Sequence, residues 1–221
     1  MKYFDVLKKA LQKVKTKHNI QVSEALLIPD LVYNIIQVTL DIIDEKTFKR
    51  LNDSKFKILF KTEIIKFEDH DKLLASANLK DNTIDLHLDL QKLDKNEYLC
   101  QIVHSILHEI GHLIFFSALE TCKFDSSLKQ NILKFIELCN KYKSFSDLAE
   151  KYIKEIYGVK VRQNNLHLIR GVDIKYHESF AEVFRIYHVH KLDKRLDPKI
   201  KISIPQELLE SYESISICLS S

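Results

Sequence analysis

The stretch VHSILHEIGHLIFF, residues 103–116, carries three histidines at intervals of four residues, with a glutamate beside one of them. Its apolar residues recur at helical spacing, so the sequence predicts a helix over about residues 96–117. Residues four apart on a helix lie roughly 40° apart around its axis, and His108 and His112 therefore share a face. Imidazoles are uncommon in the apolar stripe of such a helix, so the presence of these histidines needs a structural or functional reason.

The pattern His-Glu-x-x-His at residues 108–112 is the signature of zinc proteases. Two imidazoles one turn apart can reach a single metal ion, and Glu109 beside them can hold a water bound to that ion. His104 cannot easily join the same tetrahedral ion, so it suits either a position that supports the site or an ordinary core position. Gly111 costs the helix about 1 kcal/mol relative to alanine. That cost predicts the close approach of another element, such as the one that brings a third ligand.

A catalytic zinc ion needs three protein ligands and one open position. Residues 113–125 contain no histidine, so the third ligand must come from another part of the chain. The best candidate is the segment KYHESFAEVFRIYHVHK, residues 175–191, where Glu178 and Glu182 lie four apart on one helix face. One carboxylate can bind the metal while the other, one turn away, accepts a hydrogen bond from a ligand imidazole.

The motif HEIGH followed by ESFAEVFRIYH resembles the anthrax lethal factor-like metallopeptidases, a family that includes the secreted Pro-Pro endopeptidases. The resemblance spans about residues 55–195. It implies a gluzincin fold in which Glu178 is the third zinc ligand, Glu182 stands behind the ligands, and Glu109 acts as the base. The matching positions of the second motif are Glu178, Phe180, Ala181, Glu182, Phe184 and Arg185.

The chain departs from that family pattern in two ways. The third ligand follows His112 by 66 residues (178 − 112), a longer gap than the family pattern leads one to expect. The family also places a tyrosine seven residues before this ligand to stabilise the oxyanion, and Gly171 stands there. Tyr176 is the first candidate for the missing donor, with His177 or His167 next. Tyr176 can serve only if the helix begins at about His177, because inside the helix it would point roughly 200° away from Glu178.

The strand patterns and helix patterns together predict a mixed α+β fold. We expect a helical N-terminal extension at residues 1–54, with its second helix opening after Pro29, and a zinc metallopeptidase domain at residues 55–221. Further helices are expected at residues 126–142, 145–157 and 175–192, and a short strand and helix at residues 200–212.

The strand signals lie between the two helical regions. Residues 55–67 favour a strand, and the segments on either side of Lys80-Asp81-Asn82 favour a hairpin. In residues 83–90, polar and apolar side chains alternate, which predicts one solvated face along Thr83, Asp85, His87 and Asp89. We expect an extended peptide substrate to pair with this strand.

Composition limits the class of protein. The 221 residues are 45% hydrophobic, and 34 basic residues against 31 acidic ones leave a net charge of +3 without clustering. This argues against a nucleic-acid-binding surface. The absence of an 18-residue apolar run and of a signal-peptide pattern predicts no membrane span, and a location in the cytoplasm or export by another route. The four cysteines are expected to be free thiols, since none are close enough for a metal knuckle.

The sequence therefore favours a zinc-dependent endopeptidase acting on a protein or peptide substrate, with one Zn²⁺ held by His108, His112 and Glu178. Two alternatives stay open. One is a regulatory zinc peptidase that cleaves a repressor-type partner inside the cell. The other is a zinc-binding pseudo-enzyme that serves as a protein-binding module.

Overall fold

A computed structural model of the chain describes residues 30–45, 47, 49, 51, 56–61, 74–142, 168–169, 172–194 and 204–219. The helices are α1 (Asp30–Ile42), α2 (Asn96–Thr121), α3 (Ser126–Lys141), α4 (Ile174–Lys194) and α5 (Gln206–Cys218). The strands are β1 (Lys57–Lys61), β2 (Ala75–Asn78), β3 (Thr83–His87), β4 (Leu168–Ile169) and β5 (Val172–Asp173), and a short 3-10 helix spans Leu90–Lys92. The predicted α+β class is confirmed at this level.

The larger sheet among the described residues has the order β1-β3-β2. Strand β3 pairs in parallel with β1 and antiparallel with β2. The predicted hairpin is therefore present as β2 and β3. Its turn uses Asn82 at a φ of 54°, a conformation that asparagine tolerates better than most residues. The side-chain oxygen of Asn78 accepts hydrogen bonds from the backbone N–H groups of Lys80 and Asp81, which closes the turn.

The predicted solvated face and substrate edge at residues 83–90 are wrong. Strand β3 ends at His87 and is covered on both edges, by β1 and by β2. Thr83, His87 and Asp89 are buried. Asp89 instead caps the 3-10 helix through Gln91 N, while its own backbone N–H donates to the Tyr98 hydroxyl. Alternation with period two distinguishes the two faces of a strand, but it does not say whether neighbouring strands cover its edges.

Helix α2 is the centre of the hydrophobic core. Helices α1 and α4 pack against it, and α5 packs against α3. Aromatic rings join these helices: Phe115 stacks on Phe180 at a centroid distance of 4.7 Å, and Phe180 also contacts Phe135 at 5.4 Å and Tyr212 at 5.3 Å. The core is continuous from α1 to α5, so the described part of the expected N-terminal extension packs on the second region. The domain boundary at residue 54 stays a prediction.

Three of the expected long helices are confirmed with small shifts of their ends, at α2, α3 and α4. The first helix expected in the N-terminal extension and the helix expected at residues 145–157 lie outside the described residues. By length and composition α2 could cross a membrane, but 72% of its apolar window is buried inside the fold, as in a core helix. All four cysteines are free, as expected.

Candidate metal centre

The site forms where α2 and α4 cross at close range. A Cβ atom added to Gly111 would lie 2.6 Å from the Cα atom of Ala181 and 3.0 Å from Phe184 Cβ. Real Cβ atoms do not approach backbone so closely, so only glycine allows this contact. The predicted reason for Gly111 is confirmed: the approaching element is the helix that carries Glu178.

Three ligand-type atoms converge at this crossing. His108 Nε2 lies 3.1 Å from His112 Nε2 and 3.1 Å from Glu178 Oε2, and His112 Nε2 lies 3.5 Å from Glu178 Oε2. Tetrahedral ligands at zinc distances stand ~3.3 Å from one another. The triangle therefore has the size that one metal ion requires. Together His108, His112 and Glu178 could hold a metal ion.

The chemistry of the three atoms also fits a cation. The imidazole nitrogens and the carboxylate oxygen can all offer lone pairs to one point, and only a proton or a metal ion satisfies them there. The side chains keep little contact with solvent, at 11% for His108, 13% for His112 and 5% for Glu178. Lone pairs facing one another in so dry a place repel, so the geometry selects positive charge.

The electrostatics of the three side chains also favour a positive charge between them. Burial by itself would lower the pKa of His108, but Glu178, Glu182 and Glu109 together raise it to about 10. Burial would likewise raise the pKa of Glu178, yet the imidazoles of His112 and His108 hold it well below its usual range. The site therefore keeps its carboxylate ionised and draws a proton to His108 when no metal ion is bound.

Glu182 lies behind the ligand set, as the sequence predicts. Its Oε2 is 3.5 Å from His108 Nδ1, on the side of the imidazole opposite the converging Nε2. Arg185 donates to both Glu182 oxygens, through Nε at 2.8 Å and through the second guanidinium nitrogen. Burial raises the pKa of Glu182, but Arg185 and His108 outweigh it and bring the pKa to about 2.

His104 joins the same group from α2. Its Nδ1 lies 2.6 Å from a guanidinium nitrogen of Arg185. This contact places His104 against Arg185, which in turn binds Glu182. Whether His104 supports the site or fills an ordinary core position stays a prediction. Burial and the charge of Arg185 lower the pKa of His104 to about 4.

Glu109 faces the sheet. Its Oε2 accepts a hydrogen bond of 2.7 Å from the backbone N–H of Ala77 on β2. Burial raises the pKa of Glu109, although His112, His108 and the Ala77 hydrogen bond oppose the rise. Glu109 is thus a carboxylate beside the ligand set, held by a backbone group and biased towards accepting a proton.

Tyr176 does not lie at the site, and its predicted role as the oxyanion donor is wrong. Helix α4 begins at Ile174, so Tyr176 is inside the helix and two residues before Glu178. Its hydroxyl donates to Asn140 Oδ1 on α3 at 2.9 Å, and Lys175 Nζ lies 4.8 Å from its ring centroid. His177 is buried with its ring edge-on to Phe115. Gly171 and His167 lie outside the described residues.

Two contacts at the site were not predicted from the sequence, although one of them involves Arg185, a matching position of the second motif. Ala77 contributes only its backbone, which no motif reveals, and its position depends on the pairing of β2 with β3. The role of Arg185 had a detectable signal, because a glutamate and an arginine three residues apart on a helix are neighbours.

No family model, curated protein or solved structure matches this chain. The resemblance to lethal factor-like metallopeptidases therefore stays a prediction that rests on the two motifs.

Proposed function

We propose that this protein is a zinc-dependent endopeptidase of the gluzincin type. The observation that carries the proposal is the triangle of His108 Nε2, His112 Nε2 and Glu178 Oε2, with Glu109 beside it. Two imidazoles and one carboxylate are the donor set of zinc peptidases that keep a fourth position for water or substrate. Zinc bound there would polarise a peptide carbonyl and lower the pKa of a water molecule at the open position.

The residues of the chain supply the proton transfers. Glu109 is a buried carboxylate whose raised pKa favours taking a proton from the attacking water and passing it to the leaving amine. The Ala77 N–H fixes one of its oxygens, so the other is the one available to the water. His108 and His112 offer Nε2 to the metal ion, and Glu182 accepts from the opposite nitrogen of His108, which keeps that tautomer.

Strand β2 gives the substrate a place to bind. His87 N donates to Leu74 O, and Ser76 is opposite Asp85 in the register. In an antiparallel pair the hydrogen-bonding groups alternate, so Ala75 and Ala77 direct theirs away from β3, towards the edge of β2 with which no described strand pairs. Ala77 N reaches Glu109 from that edge. An extended peptide pairing with β2 would therefore lie beside the base.

A second candidate function is a zinc-binding module without catalysis. The observation in its favour is Tyr176, whose hydroxyl binds Asn140 instead of facing the ligands. Removing one oxyanion donor costs an enzyme about 2.7 to 4 kcal/mol of transition-state stabilisation. A site that lacks such a donor would bind peptides and metal but turn them over poorly.

Cleavage of a peptide library by the purified protein, with and without a zinc chelator, separates the two functions. The endopeptidase proposal expects cleavage that the chelator stops and that added zinc restores. Glu109→Gln, which preserves the metal ligands, should be inactive in the same assay. If the protein retains zinc and binds peptides on β2 but cuts none of them, the binding module replaces the peptidase.

A further inference from the structure

A row of polar side chains crosses from α2 to α4 and back behind the ligands. It runs from His108 through Glu182 and Arg185 to His104. The contacts are 3.5 Å from His108 Nδ1 to Glu182 Oε2, 2.8 Å from Arg185 Nε to that oxygen, and 2.6 Å from Arg185 to His104 Nδ1. His104 and His108 lie one turn apart on α2, so the row returns to the helix from which it starts.

The chemistry of arginine fixes the direction of each hydrogen bond. A guanidinium group only donates, so His104 Nδ1 must accept and the proton of that ring is on Nε2. Glu182 accepts from Arg185 with both oxygens, the paired geometry that suits arginine and that lysine cannot reproduce. Glu182 Oε2 accepts from Arg185 Nε and has a second lone pair, which is directed at His108 Nδ1.

We propose that Arg185 is a positioning residue of the metal centre, anchored by His104, which holds the Glu182 carboxylate aimed at His108. This inference rests on the proposed metal site and deepens it. Arg185 contacts Glu182 and His104, and it reaches His108 through Glu182.

The need for such a residue follows from the two carboxylates. Glu178 and Glu182 stand one turn apart on α4, and both approach His108 in a largely dry interface. A glutamate side chain has several rotamers, and the two hydrogen bonds from Arg185 hold Glu182 in one of them. In that rotamer Glu182 Oε2 lies on the Nδ1 side of His108, while Glu178 lies on the Nε2 side.

An exposed pair at the C-terminal end of α2 gives a matched control. Glu120 lies in the last turn of α2 and Lys123 just beyond the helix, also three residues apart, but the side chains of Lys123 and Glu120 are 50% and 39% exposed. Lys123→Met removes one positive charge from a glutamate, as Arg185→Met does, at a place where solvent screens the pair. Both variants remove one positive charge, so any difference in zinc affinity between them results from where that charge lies.

The test measures metal affinity by competition with a chromogenic zinc chelator, on the full chain. Glu182→Gln should weaken zinc binding about 10 to 100-fold, and Arg185→Met about 10-fold, the lower end of the range for groups behind the ligands. Lys123→Met should change nothing. In the Glu182→Gln background, Arg185→Met should cost less than about 2-fold, because a residue that acts through Glu182 loses its effect once Glu182 is neutral.

Two further variants keep the proposal testable if Arg185→Met fails to fold. His104→Leu should weaken zinc binding about 3-fold, below the range for a direct partner of a ligand, and His104→Asn should recover most of that loss, because its side-chain oxygen can accept where Nδ1 does. In the cobalt-substituted protein, Arg185→Lys should shift the visible spectrum, which a purely structural role would leave unchanged.

A wild-type chain that binds no metal would contradict the proposed function. If Arg185→Met, or both His104 variants, bind zinc as tightly as the wild-type chain does, this inference is wrong and the proposed function is unaffected.

Discussion

Two buried histidines on the packed helices α2 and α4 show how differently one side chain can be used. His108 lies among carboxylates, and its pKa is raised to about 10 although burial alone would lower it. His188 is fully buried near the other end of α4, where burial and Lys191 lower its pKa to about 3. Its Nδ1 is 3.4 Å from the Ile42 carbonyl oxygen and its Nε2 is 3.4 Å from the Tyr212 hydroxyl.

The neighbours make the difference, because both rings are withdrawn from water. His188 connects α4 to the end of α1 and to α5, and its ring packs 4.3 Å from that of Phe184. Asp44, with a smaller opposing effect, is not enough to charge it. His108 instead has acceptors on both ring nitrogens, Glu178 at one and Glu182 at the other. A buried histidine is thus a structural link where its partners are a carbonyl and a hydroxyl, and a candidate metal ligand where acceptors converge on it.

The largest effect is expected from Glu109→Gln. This variant tests whether the end of the α2–α4 interface that carries His108 catalyses peptide cleavage or only binds a metal ion. The amide oxygen can still accept from Ala77 N, so the local structure is kept. Loss of the base should lower peptide cleavage by about 10² to 10⁴-fold. Zinc content should stay at the wild-type level, as measured by elemental analysis. Full activity in this variant would remove Glu109 from the mechanism.

A smaller effect is expected from Gly111→Ala, because the helices touch backbone to backbone at this position. Alanine is worth about 1 kcal/mol more than glycine in an unconstrained helix. Here the new Cβ would meet Ala181 Cα at 2.6 Å, and overpacking of this kind costs about 1 to 3 kcal/mol. Urea unfolding should therefore show a loss of stability, and zinc affinity should fall as Glu178 is displaced. A gain in stability would show that α2 and α4 do not approach so closely.

The smallest effect at neutral pH concerns the His188 end, where the dependence of stability on pH should change. A histidine with a folded-state pKa of about 3 stays neutral in the fold while the unfolded chain takes up a proton near pH 6.5. The unfolded state then binds more protons, so stability falls as the pH drops from about 6.5 towards 3, by at most about 1.4 kcal/mol per pH unit. His188→Asn should lose this part of the slope. Above pH 7.5 the two slopes should coincide, and equal slopes at acid pH would contradict the assignment.

These contrasts also show what the sequence could predict. His108, Glu109 and His112 are found from local spacing, because an α-helix places residues four apart on one face. Glu178 is also found, since its segment is the clearest paired-carboxylate helix after α2 in the sequence. Gly111 could be interpreted because its cost in a helix must have a reason.

The wrong predictions concern features that depend on tertiary structure or on the residue at which a helix begins. The position of Tyr176 depends on whether α4 begins at Ile174 or three residues later, a difference near the uncertainty of any helix boundary. The covered edges of β3 depend on a parallel partner, β1, whose pairing leaves no local signal. The link from Arg185 to His104 joins residues 81 positions apart, and only the packing of α2 on α4 brings them together.

The most direct test of the central claim is anomalous diffraction at the zinc absorption edge from crystals of the purified protein. We predict one peak per chain, about 2.0 to 2.2 Å from His108 Nε2, His112 Nε2 and a Glu178 carboxylate oxygen. His188, which is more deeply buried but linked to a carbonyl and a hydroxyl, should carry no peak. Crystals soaked in zinc that show no peak between α2 and α4, or a peak held by other residues, would contradict the account.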